Sequence, residues 1–253
     1  MSKSPTPPDH FSAVAAAYAD ARPTYPRQLY DWIAGQCPAH DLAWDCATGN
    51  GQAAVDLARQ FARVVATDVS AEQIARAMTS PYIDYRIAPA SDSGLADASA
   101  DLVTIAQALH WFAGRKFYDE VRRVLRPGGM IVAWSYGILH VEDEAIDQVC
   151  LRFYGETVEA YWPPERRHVE ARYTTLPFPF PRIDVPEMHM EARWPLTALT
   201  RYFRSWSATG RYIATNGRDP VDGIEDELAA LWGDPARPRR VTWPLTILAG
   251  RNA

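Results

Sequence analysis

Residues 45–54 read DCATGNGQAA, an acid followed by two glycines and a run of small residues. The stretch before it, LAWDC (42–46), has the length and apolar content of a short buried strand. The stretch after it, GQAAVDLARQFA (51–62), puts Ala54, Leu57, Ala58 and Phe61 on one helical face. A strand that turns through glycines straight into a helix admits three readings. It is a tight turn, a cradle for a nucleotide phosphate, or the seat of a cationic cofactor.

The same alternation continues on both sides of the loop. QLYDWIAGQ (28–36) spaces Leu29, Trp32 and Ile33 as a helix does, and RVVATDV (63–69) is a β-branched strand ending in an acid. SAEQIARAM (70–78) opens a helix, with Ser70 as N-cap and Gln73 at the capping-box position. YIDYRIA (82–88) and the apolar centre of ASADLVTIAQAL (98–109) read as strands. FYDEVRRVLRPGG (117–129) reads as a helix stopped by Pro127 and two glycines, and MIVAWSY (130–136) as another strand. Strands alternating with helices predict an α/β fold with a doubly wound, mostly parallel sheet. Ligands of such sheets sit at the carboxyl ends of the strands.

After Gly137 the pattern loosens. Residues 142–160 read as helical, 161–186 are rich in proline, tyrosine and arginine without a period, and 186–196 holds a strand. A helix is expected over 197–208 and a last strand over 241–250. The expected organisation is a single domain over 1–253. Residues 10–137 form its cofactor-binding core, 138–200 a cap insertion over the open end of the sheet, and 201–253 complete the sheet.

Composition narrows the function. A chain of 253 residues with 47% hydrophobic and 23% charged residues is ordinary for a soluble globular protein. The formal net charge of −5 argues against a nucleic-acid partner, whose binding rests on phosphate neutralisation. No apolar run is long enough to span a bilayer, so no membrane partner is expected. The opening residues MSKSPTPPDH lack the apolar core of a signal peptide. Cys37, Cys46 and Cys150 are widely spaced and odd in number, which suggests neither a disulfide framework nor a metal site and fits a reducing cytoplasm. The six histidines show no paired-ligand spacing, so no metal is expected.

Two nucleoside chemistries compete for the loop. Gly49, Gly51 and Ala54 satisfy a permitted form of the dinucleotide fingerprint, and Asp68 lies near the distance of a ribose-binding acid. That would make the chain an NAD(P)-dependent oxidoreductase. Asp45 favours the other reading, because a carboxylate at the strand end repels a pyrophosphate and attracts an ammonium or sulfonium. No lysine follows the glycines, which removes a P-loop.

DCATGNGQAA, VVATDVSAEQIARA, DLVTIAQALHWF and VRRVLRPGG, in this order and spacing, resemble the class I S-adenosylmethionine-dependent methyltransferases. The resemblance is strong over about residues 10–137, and YADARPTYP (18–26) with AQALHWF (106–112) is similar to the trans-aconitate methyltransferase-like group. It implies a seven-stranded Rossmann-like sheet, S-adenosyl-L-methionine as cofactor and a small-molecule methyl acceptor, with a small carboxylic acid as the leading class. Asp45 then holds the methionine ammonium. Ala47, Thr48, Gly49 and Gly51 let backbone approach the cofactor, with Ala47 standing where the family usually has glycine. Asp68 accepts the ribose hydroxyls and Val69 packs on adenine. Ala90 and Ser91 offer backbone groups to the adenine edge, where the family often has an acid. Gln107 and Ala108 run beside the methyl donor. Tyr18 covers the cofactor and Arg22 pairs with its carboxylate.

Transfer of an already activated methyl needs alignment more than acid–base groups. His110 is the candidate catalytic base, or a hydrogen-bond donor to the acceptor. With Trp111, Tyr136 and Trp162 it forms the candidate acceptor-binding set, Trp111 serving as pocket wall or plain core. Arg166, Arg167 and His168 would suit an anionic acceptor, or form a solvated surface. A protein that binds S-adenosylmethionine without turnover is the remaining alternative.

Overall fold

The computed structural model describes residues 23–252. The chain divides into two compact units, a larger one of Thr24–Leu139, Pro164–Glu191 and Thr242–Ala253, and a smaller one containing His140–Pro163 and Ala192–Val241.

The larger unit begins with α1 (Arg27–Gln36) and then alternates β1 (Leu42–Cys46), α2 (Gln52–Leu57), β2 (Arg63–Asp68), α3 (Ala71–Ala75), β3 (Ile83–Ile87) and β4 (Ala100–Ala106). Next come α4 (Leu109–Phe112), α5 (Arg115–Val124) and β5 (Leu125–Tyr136). The strands lie in the order β3-β2-β1-β4-β5, all parallel, and β8 (Arg239–Arg251) adds antiparallel to β5. The short β6 (His140–Val141) and β7 (His189–Trp194) pair with β8, giving eight strands among the described residues. The expected doubly wound, mostly parallel sheet is present, and its strand order reverses at β1. Ala43, Trp44, Val64, Val65, Leu102 and Val103 are all buried, as strands covered on both faces require.

Local rules account for most boundaries. The Ser70 hydroxyl accepts the Gln73 N–H at 3.2 Å and caps α3. One expectation fails: the helix read over 117–129 ends at Val124, and Leu125–Tyr136 is a single strand. Pro127 disfavours helical backbone at Arg126, and Gly128 at φ 77° turns the chain out of any helix. Asp101, buried in β4, accepts the Asp41 and Leu42 N–H groups at 2.8 and 3.0 Å and a guanidinium N–H of Arg126 at 2.7 Å. It fixes where β1 begins against β4.

Glu120, on α5, is buried yet anchors a loop. Its carboxylate accepts the Ser93 N–H at 2.8 Å and hydroxyl at 2.6 Å, and two Arg123 N–H groups at 2.8 Å. Burial opposes its ionisation, but Arg123 and Ser93 outweigh burial and hold the carboxyl down at about 2. The Glu120→Gln variant is expected to lose about 2–3 kcal/mol at neutral pH in urea unfolding. Because the folded pKa is depressed, this contribution is present above the unfolded value and disappears as pH falls toward 2. A variant as stable as wild type at pH 7 would show that the network contributes nothing net.

The smaller unit has a core of its own. It contains α6 (Glu144–Arg152), a π-helical turn at Phe153–Thr157, α8 (Leu196–Arg204), α9 (Ser207–Asn216) and α10 (Asp222–Trp232). Trp206 packs on Phe153, Phe203 and Trp162 with ring centroids 5.9, 4.8 and 5.4 Å apart. Arg204 binds Asp219, Asp222 and Glu225 at 2.6–2.9 Å. The remaining helix, α7 (Arg166–Glu170), belongs to the larger unit. Among the described residues no helix is long and apolar enough to cross a membrane.

Candidate functional site

The carboxyl ends of β1, β2 and β4 bring together most of the residues singled out from sequence. The loop after β1 is unusual in its backbone. Ala47, Gly49 and Gly51 have φ of 55°, 59° and 84°. Ala47 takes the left-handed region despite its methyl, at a cost of about 1–2 kcal/mol, so the turn keeps the path glycine would take. At Gly51 a Cβ would lie 2.2 Å from the Tyr85 hydroxyl, so both φ and space demand glycine.

Three of the loop's N–H groups are already used. Thr48 donates to the Thr67 carbonyl at 2.9 Å, Gly51 to the Thr48 carbonyl at 3.0 Å, and Gly49 to Asp68 Oδ2 at 2.9 Å. A pyrophosphate cradle needs such groups turned toward the ligand; here three of them are spent internally. Asp68 Oδ1 accepts the Ser70 N–H at 2.9 Å. A carboxylate has about four acceptor positions, so Asp68 clasps the loop and retains capacity for ligand hydroxyls.

Asp45 lies beneath the loop, fully buried. The Thr48 hydroxyl donates to Oδ2 at 2.5 Å and the Thr104 hydroxyl to Oδ1 at 2.8 Å. Burial pushes the carboxyl up to about 6, against the pull of both threonines and the Ala54 backbone N–H, and the neighbouring Asp68 charge adds to the rise. At neutral pH Asp45 therefore places a negative charge under the loop, which suits a cation above and opposes a phosphate.

The rim beside β2 and β3 is apolar. Val69 and Ile87 are 68% and 62% exposed, a surface suited to a flat heterocycle. Ala90 is half-buried and Ser91 exposed, on the loop that Glu120 anchors through Ser93. At the end of β4, Gln107 has φ 58° and donates its N–H to the Trp134 carbonyl at 2.8 Å. Its side-chain Nε2 is buried with no hydrogen-bond partner among the described residues. Such an orphaned donor costs about 1–3 kcal/mol unless a ligand meets it. Ala108 is buried beside it. A carboxylate for hydroxyls, an apolar face for a base, an orphaned amide and a buried anion together fit a cationic nucleoside.

His110 and Trp111 follow on α4. Trp111 is 44% exposed, which removes the plain-core reading. His110 Nδ1 lies 3.2 Å from the Tyr173 hydroxyl, a contact that sequence did not suggest across 63 positions. Burial, then the charges of Arg166 and His168, lowers the imidazole pKa to about 4, so the ring is neutral at pH 7. Arg172 and Tyr173 have φ of 51° and 58°, two adjacent left-handed residues costing about 1–2 kcal/mol each. Tyr136 ends β5, buried, its ring 6.4 Å from Tyr25. Trp162 belongs to the smaller unit, its ring tilted against those of Tyr154 and Trp206, and the larger unit holds the other described candidates. Tyr18 and Arg22 lie outside the described residues. Thr104 was also missed, although a threonine inside the apolar run of β4, paired in register with Asp45, was a usable signal.

Comparison with known proteins adds three findings. A family model described as a methyltransferase domain matches residues 44–133. A Dictyostelium discoideum protein named as a methyltransferase is 33% identical over 230 residues, 88% of this chain and 88% of its own. A solved structure from Anaeromyxobacter dehalogenans, described as a type II methyltransferase, superposes with a TM-score of 0.87 at 46% identity, over 91% of this chain and 98% of that one.

Proposed function

Because this chain belongs to the class I S-adenosylmethionine-dependent methyltransferases, we propose that the carboxyl-end cluster holds S-adenosylmethionine and a small-molecule acceptor. Asp68 accepts the ribose hydroxyls, Val69 packs on adenine, and Ala90 and Ser91 present backbone groups to its edge. Ala47, Thr48, Gly49 and Gly51 run along the ribose and methionyl portions, over the negative charge of Asp45. Gln107 and Ala108 flank the methyl donor, and Tyr18 and Arg22 complete the set that the resemblance implies.

The observation that supports this assignment over a nicotinamide dinucleotide is the use of the loop's N–H groups. With the Thr48, Gly49 and Gly51 amides engaged, a pyrophosphate reaching for them would have to displace bonds, and it would sit above a buried carboxylate. A sulfonium and ammonium need no amide donors and are attracted by that carboxylate.

When bound, S-adenosylmethionine supplies an activated methyl group on a positively charged sulfur. The chain's task is to align the acceptor and exclude water, and alignment alone is worth roughly 7–11 kcal/mol in favourable cases. His110, Trp111 and Tyr136 are the acceptor-side residues in this reading. The acceptor is a small carboxylic acid, as similarity to the trans-aconitate methyltransferase-like group suggests.

Calorimetric titration of the purified chain with S-adenosylhomocysteine, and separately with NADH, tests the assignment. Micromolar binding of S-adenosylhomocysteine alone is expected. Binding of NADH instead would return the loop to a pyrophosphate and sink the proposed residue roles.

A further inference from the structure

We propose that Tyr173 is a positioning residue that fixes His110 as a hydrogen-bond donor, and that the site therefore takes acceptors already ionised before they bind. The consequence for the acceptor rests on the methyltransferase reading above; the protonation pattern itself does not.

Tyr173 is fully buried, so its O–H needs an acceptor inside the protein. His110 Nδ1, at 3.2 Å, is that acceptor. The Ser135 hydroxyl faces the same phenol oxygen but makes no hydrogen bond of ordinary length among the described residues. Were the imidazole to donate from Nδ1 instead, the buried phenol hydrogen would be left with only Ser135, beyond ordinary hydrogen-bond length, the costlier arrangement.

The ring is neutral. It is mostly buried, and the Arg166 guanidinium and the His168 ring, both on α7, oppose a positive charge on it. A neutral imidazole has one N–H and one lone pair. With the lone pair at Nδ1 committed to Tyr173, the hydrogen sits on Nε2. His110 can then donate to a substrate oxygen and cannot remove a proton from it.

A site where the His110 imidazole is a donor suits a nucleophile that needs no base. A carboxylate is such a group, bound through one oxygen while the other reacts. The Arg166 guanidinium close to His110 adds favourable potential for that negative charge.

The backbone supports a positioning role rather than incidental packing. The phenol is delivered by two adjacent left-handed residues, Arg172 and Tyr173, in a turn closed by the Tyr173 N–H on the His168 carbonyl at 2.8 Å. Non-glycine residues rarely occupy that region, and strained backbone concentrates where geometry must be held for function.

Long-range proton–nitrogen correlation spectra of the 15N-labelled full chain test the proposal, with His110 assigned through His110→Gln. Wild type is expected to show an unprotonated, hydrogen-bonded Nδ1 and a protonated Nε2 throughout the neutral range. In Tyr173→Phe the Nδ1 resonance should move and the ring should titrate at higher pH, because the donor that favoured the neutral ring is gone. A proton on Nδ1 in wild type, or an unchanged spectrum and titration in Tyr173→Phe, overturns the proposal. Should Tyr173→Phe fail to fold, the wild-type tautomer decides alone. S-adenosylhomocysteine titrated into the same samples separates the two readings. Binding with the wrong tautomer sinks this proposal only, and the expected tautomer without binding sinks the cofactor assignment and the acceptor consequence while the protonation pattern stands.

Discussion

Replacing Asp68 with alanine is expected to weaken S-adenosylhomocysteine binding by about 1–3 kcal/mol, which is roughly a five- to 150-fold rise in Kd. Two effects combine. The ribose hydroxyls lose a charged acceptor, and the Gly49 and Ser70 N–H groups lose the oxygens that hold them at 2.9 Å. The second effect loosens the loop even without ligand, so thermal unfolding should also shift downward. Asp68→Asn separates the two. Its single carbonyl oxygen can serve one backbone N–H, while its amide hydrogens face donors and repel the other. The variant should therefore lose affinity nearly as fully as Asp68→Ala while keeping more of the thermal stability. An unchanged Kd in both variants would remove the ribose assignment. Because a dinucleotide ribose could use the same carboxylate, NADH belongs in the same titrations as the comparison ligand.

Much of this site could be read from the chain because its parts are local. Strand, glycine loop and helix lie within residues 42–57, and Asp68 ends the next strand, so spacing alone brings Asp45, Gly49, Gly51 and Asp68 to one end of the sheet. What spacing cannot express is how hydrogen bonds are shared out. GxGxxA reads the same whether its amides are open to a phosphate or spent on Thr67, Thr48 and Asp68. The helix expected to run to residue 129 reflects a different limit: the helical period of FYDEVRRV carries past Val124 until Pro127 is weighed as a restriction on the residue before it. Tyr173 gave no signal at all. It lies in an aperiodic segment, and only tertiary packing brings it to His110. Likewise α9 and α10 follow a stretch whose helical pattern ended, for sequence reading, near Ala208.

Asp45→Asn is expected to make the protein more stable at neutral pH and a poorer binder of its cofactor. The wild-type carboxyl has its folded pKa raised to about 6, chiefly by burial. Between the unfolded carboxylate range and that value the native state holds more protons than the unfolded state. Stability therefore falls as pH rises through this window, by about 2–3 kcal/mol in all. Asparagine has no proton to lose, so urea unfolding of Asp45→Asn should lack that decline and exceed wild type at pH 7, less whatever the altered bonds from Thr48 and Thr104 take back. Binding should move the opposite way. A cationic ligand above the loop stabilises the ionised form, so S-adenosylmethionine affinity should weaken in wild type as pH drops below about 6 and be low and flat in the variant. Stability retained against function lost is the pattern of a charge kept buried for a ligand rather than for the fold. Parallel stability–pH curves for the two proteins would mean that Asp45 is not the buried charge, without a cationic partner, inferred from its contacts with Thr48, Thr104 and the Ala54 backbone. The electrostatic case for a cation over this loop would then fall with it.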